Sequence, residues 1–129
     1  MTAADIKLNI PNEERYHGIA RLVVGGLAAR LDLSYENLDD LQLALATVLE
    51  NDGYVIGSDV TVELHVRDDG VSIVIGPLET SELRADLAKD DETVNLGRLL
   101  STVVEKVEVE ERTDGGWLRL EKQLRLTHS

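Results

Sequence analysis

The stretch Asp39-Asp40-Leu41-Gln42-Leu43-Ala44-Leu45-Ala46-Thr47-Val48-Leu49-Glu50-Asn51-Asp52-Gly53 reads as a helix that is apolar around most of its circumference. Leu38, Leu41, Leu45, Val48 and Leu49 keep the i, i+3, i+4, i+7 spacing of one face, and Leu43, Ala44 and Ala46 widen that face well beyond a stripe. A helix of this kind is buried, so the remaining elements have to be arranged around it. A narrow polar line is left on it, formed by Asp40, Thr47 and Asn51 with Ala44 between them, and Gly53 follows as a stop. Two readings of that line stand side by side. Either Thr47 bonds a carbonyl one turn back and Asn51 caps the helix end, or the row meets a partner.

With 129 residues, 43% of them apolar, the chain is expected to form a single domain over residues 1–129. A formal charge of −12 opposes contact with nucleic-acid phosphates and anionic membranes and favours a basic protein partner. The absence of cysteine excludes disulfides and thiolate metal sites. No apolar run approaches the roughly 20 residues of a membrane span, and the start Met1-Thr2-Ala3-Ala4-Asp5 has no signal-peptide pattern. The expected location is the cytoplasm.

In chain order, Ile6, Leu8 and Ile10 alternate with polar residues as a short strand closed by Pro11-Asn12. A first helix is predicted from about Glu13 to Leu31, its apolar positions repeating at three and four. Gly25-Gly26 interrupts it, which implies close approach by another helix, from a second copy of the chain, or a local kink. Ser34 is placed to cap the second helix. Val60 to Arg67 alternates, Asp68-Asp69-Gly70 turns, and Val71 to Ile75 is nearly continuously apolar, which predicts a hairpin whose second strand is the more central. Thr80 to Lys89 reads as a short acidic helix, and Val94 to Lys106 as a third amphipathic one. Val107 and Val109, a turn at Asp114-Gly115-Gly116, and Trp117 to Leu126 complete a second strand pair. The order predicts an α+β two-layer sandwich, a mixed and mostly antiparallel sheet covered on one face by helices. The three histidines, His17, His65 and His128, have no metal-ligand spacing, and no serine stands in a nucleophile elbow.

Tyr16-His17-Gly18-Ile19-Ala20-Arg21-Leu22-Val23-Val24-Gly25-Gly26-Leu27-Ala28-Ala29-Arg30-Leu31 and Ser34 to Ala46 resemble the first two helices of the anti-sigma-factor serine kinases, members of the histidine-kinase-like (GHKL, Bergerat-fold) ATPases. Leu96-Gly97-Arg98-Leu99-Leu100 and the residues to Val109 are similar to that family's second glycine box and the helix and strand after it. The resemblance covers about residues 5 to 126. It implies a Bergerat-type fold, a homodimer formed through the first helix, and a sigma factor or an anti-sigma antagonist as partner.

It also implies a nucleotide pocket at Thr47, Asn51, Gly76, Asn95, Gly97 and Arg98, with Asn51 as the Mg²⁺ ligand. The chain departs from the family there. Thr47 stands where the family has its glutamate general base, and Glu50 is about 100° around the helix from Asn51. Ile75-Gly76-Pro77-Leu78-Glu79 lacks the aspartate that binds the adenine amino group, and Asn95 and Arg98 replace a glycine and a leucine of the second box. Loss of a general base costs roughly 10² to 10⁴ in rate. The expectation is therefore a protein-binding regulator similar to an anti-sigma factor, with no catalytic residue assigned and ATP and Mg²⁺ bound weakly or not at all. The alternatives are an active serine/threonine kinase acting on an anti-sigma antagonist, and a noncatalytic adaptor. Arg98 and the amides near Asn95 and Gly97 are either an anion site or ordinary solvated helix residues. Glu13, Glu14, Asp32, Glu36 and Asp39 are candidate contacts for a basic partner, or helix-dipole and solubility residues.

Overall fold

A computed structural model describes residues 4–31, 33–50, 54–88 and 96–123. The elements are β1 (Ala4–Pro11), α1 (Glu14–Leu31), α2 (Tyr35–Leu49), β2 (Asp59–Arg67), β3 (Gly70–Leu78), α3 (Thr80–Ala88), α4 (Leu96–Ser101), β4 (Lys106–Arg112) and β5 (Gly115–Gln123). The strands form one sheet in the order β1-β2-β3-β5-β4, and every pairing in it is antiparallel. The helices cover one face, so the α+β two-layer architecture expected from the order of elements is the observed one.

The alternation of side chains along each strand decides which face is covered. Ile6, Leu8 and Ile10 of β1 stand in register with Leu64, Val62 and Val60 of β2, and Ile73 and Ile75 of β3 with Leu120 and Leu118 of β5. These apolar rows meet Leu41, Ala44, Leu45, Val48 and Leu49 of α2 and Ala20 and Val24 of α1 in one core. β3 is the middle strand, as its apolar run requires. At about 25 cal/mol per Å² of apolar surface, a fully buried leucine such as Leu45 contributes on the order of 2 kcal/mol.

Some boundaries move. α2 begins at Tyr35, capped by Ser34, whose Oγ accepts a hydrogen bond from the Asn37 amide at 3.1 Å. It ends at Leu49, and Glu50 closes it by donating its amide to the Ala46 carbonyl at 2.9 Å. The expected extension to Asn51 and Gly53 lies outside the described residues. α4 has six residues rather than a run to Lys106, because Thr102 and Val103 already turn toward β4. α1 runs unbroken through Gly25-Gly26. Within the chain a β-carbon on Gly25 would touch the Gln42 side chain of α2 at 3.6 Å, while beside Gly26 there is open space.

Candidate functional site

Of the polar line on α2 the structure describes Asp40 and Thr47, and both make contacts within the chain. Asp40 accepts a hydrogen bond from the Lys122 ammonium of β5 at 2.9 Å, and Glu105 lies 3.7 Å from the same nitrogen. The Thr47 hydroxyl donates to the Leu43 carbonyl at 2.7 Å, one turn back. Asn51 and Asn95 lie outside the described residues. Gly97 and Arg98 are on α4, which packs against α2, α3 and β4. Thr47 and the glycine-box residues therefore sit on neighbouring helices.

Gly76 is elsewhere. Its register partner Thr61 points to the helix-free face of the sheet, and a β-carbon at Gly76 would collide with the Trp117 indole. Gly76 makes the seat for that ring. The end of β3 beyond it, joined by a cis Gly76–Pro77 peptide, is bonded to the segment after α2: the Ile56 amide donates to the Pro77 carbonyl at 3.0 Å and the Glu79 amide to the Tyr54 carbonyl at 2.6 Å. Tyr54 is buried and its hydroxyl bonds the Asp86 carboxylate of α3, pinning this segment in place. Among the described residues no group of three or more histidine, aspartate or glutamate side chains is placed to hold a metal ion. His17 is buried on α1 near Asn12, His65 lies between Asp5 and Glu63, and His128 is outside the described residues.

A different surface stands out on α1 and α2. Leu22 is 77% exposed, Ile19 42% and Leu43 53%. Gly18, Ile19 and Leu22 line an open groove with Gln42, whose amide donates to the Arg21 carbonyl at 3.1 Å, and Arg15 and Arg21 border it. Glu13 and Glu14 lie on an adjoining concavity with the same two arginines. Exposed aliphatic side chains framed by charges of both signs are the usual make-up of a protein-binding surface. Ile19 falls within the apolar repeat of α1 at three and four. Among the described residues α1 has α2 and β1 as its main neighbours, which leaves Ile19 exposed.

A helical layer on a five-stranded antiparallel sheet, with exposed aliphatic side chains on the first two helices, is the two-layer α+β sandwich that the order of elements predicts. No protein-family model matches the chain. It is 26% identical over 126 residues to a serine-protein kinase RsbW of Halalkalibacterium halodurans, covering 82% of this chain and 75% of that protein. It is 28% identical over 109 residues to the serine-protein kinase RsbW of Listeria monocytogenes, covering 73% and 69% of the two chains. With the RsbW of Listeria innocua it shares 30% identity over 82 residues, about half of that protein's length at 52%. Over most of its length the chain is thus similar to serine-protein kinases RsbW. No helix of the described residues is long and apolar enough to cross a membrane.

Proposed function

We propose that this chain is a cytoplasmic protein-binding regulator of the anti-sigma type, which engages a sigma factor or an anti-sigma antagonist through the exposed face of α1 and α2 and does not depend on phosphoryl transfer. The observation that carries this reading is Leu22, a large aliphatic side chain left 77% exposed on the same groove as Ile19. Two features favour binding over kinase chemistry. The hydroxyl of Thr47, at the position of the family's general base, is committed to its own helix. The end of β3, where the family binds adenine, is bonded to Tyr54 and Ile56 of the same chain. Any binding of ATP and Mg²⁺ is weak.

The charge of −12 draws a basic partner from a distance, and screening over about 8 Å at physiological salt makes the association rate fall as salt rises. Contact itself rests on the apolar groove. The test is to measure binding of the sigma factors of the source organism to wild type and to Leu22→Asp. A loss of about tenfold or more in affinity is expected, because a charge would replace an anchor in a desolvated contact, with an unchanged melting temperature because Leu22 packs against little in the free chain. An unchanged affinity refutes this placement of the partner face.

A further inference from the structure

The sheet has two free edges, and the one at β1 is only half covered. On the helix side Ala4, Ile6, Leu8 and Ile10 of β1 stand in register with Val66, Leu64, Val62 and Val60 of β2. All four β2 side chains are 2% exposed or less, whereas Ala4, Ile6 and Leu8 are half-buried. The roof over this edge is α1, whose inward residues are His17, Ala20, Val24 and Ala28. A helix turns about 100° per residue, so Arg21 and Gly25, which follow two of these, lie on one flank, and that flank meets Gln42 of α2. Tyr16, Val23 and Leu27, which precede three of them, lie on the other flank, away from α2 and toward the open side of β1. They too are half-buried. Half-covered apolar side chains on the strand and on the helix above it form a step along the edge of the sheet.

We propose that this step takes up an extended segment of a partner protein, which adds to β1 as a sixth strand of the sheet. The backbone dictates that shape. Every second residue of an edge strand turns its N–H and C=O away from its neighbour, and another extended backbone is what pairs with the whole row. The helical layer sets the apolar pattern. A strand placed about 4.8 Å from β1 sends alternate side chains up beside Ile6 and Leu8, against the free flank of α1.

Charge sets the pattern on the other side of the added strand. Lys7 stands at the middle of β1 on the helix-free side, is exposed, and makes no ion pair among the described residues. Its register partner Glu63 is taken by Arg112 and His65, and Asp5 beside it by His65 and Arg67. An unpaired lysine next to an unpaired strand edge, in a chain of net charge −12, selects an acidic residue directly opposite it. The edge at β4 has no such cation, because Lys106 is 2.9 Å from Glu108 of the same strand. The segment that fits is therefore apolar at alternate positions with an acidic residue between them. This edge is separate from the groove on the outer side of α1 and α2, and the proposal does not rest on the function assigned to that groove.

The probe is a short capped peptide with valine at alternate positions, threonine between them, and a glutamate in place of the central threonine. It is titrated into the isotope-labelled full chain while backbone amide resonances are followed. Saturable shifts are expected from Asp5 to Asn9 and at Tyr16, Val23 and Leu27, with slower hydrogen exchange at the outward amides of β1. Lys7→Glu is expected to weaken binding roughly fivefold and to prefer the same peptide with lysine in place of its glutamate. That exchange of preference is a readout that a damaged fold would not produce. A peptide methylated at every amide nitrogen keeps its side chains, loses its strand pairing, and is expected not to bind. No saturable shift at millimolar peptide overturns the proposal, as do equal affinities for wild type and Lys7→Glu, or a methylated peptide that binds like its parent. Shifts centred on Arg21, Leu22 and Gln42 overturn it by moving the contact to the outer groove. Outward β1 amides that are already protected in the free chain overturn it as well, because a second copy would then hold the edge.

Discussion

Glu63 is only 8% exposed on β2, and its ionised form is what its neighbours stabilise. The bidentate contact from Arg112 holds its carboxyl below the usual glutamate range against the opposing effect of burial, and the bond from His65 adds to it. A carboxyl whose folded pKa is depressed stabilises the fold at pH values above its unfolded pKa, and that contribution is lost as pH falls through the folded value. Stability should therefore decline from about pH 6 to about pH 3, steepening below the unfolded carboxylate pKa. Glu63→Gln is expected to cost about 1.5 to 3 kcal/mol at neutral pH, the range for a hydrogen bond to a charged group, and to flatten the acid limb of the curve. Urea melts of both proteins at a series of pH values measure this. A variant with the same acid dependence as wild type would mean that Glu63 does not contribute to it. Asp5 and Glu110 are also held low, by His65 and by Arg119, and supply the residual slope.

The elements were legible to the extent that their signals were local. Alternation in Val60 to Arg67, the Asp68-Asp69-Gly70 turn and the Ser34 cap each specify a conformation within a few residues, and β2, β3 and the start of α2 follow them. The Ser34 cap is tested by Ser34→Ala, which should lower stability by about 1 kcal/mol and fray the first turn of α2. Hydrogen exchange at the Asn37 amide measures it, and an unchanged protection factor contradicts it. What sequence did not reveal were long-range pairs. Asp40 has its partner in Lys122, 82 residues away, and Gln42 fills the space beside Gly25 from a different helix. The polar line of α2 was recognised, but its partner and the shortness of α4 depend on how distant segments meet. Glycine at 76 was legible only as a residue of the nucleotide pocket that the resemblance implies. Its packing under Trp117 depends on the β3–β5 register, which no local pattern encodes.

For the whole molecule, two faces carry different charge. On the sheet face the row Lys7, Glu63, Val74, Arg119 and Glu108 balances its own signs, while the chain as a whole has an excess of acid. The central claim is that binding, without phosphoryl transfer, is what this chain does. Calorimetric titration with Mg-ATP tests it most directly, because the position of the general base holds Thr47 and the end of β3 is bonded to the chain itself. The expected result is no saturable heat at micromolar nucleotide. A dissociation constant in the micromolar range or tighter would contradict it.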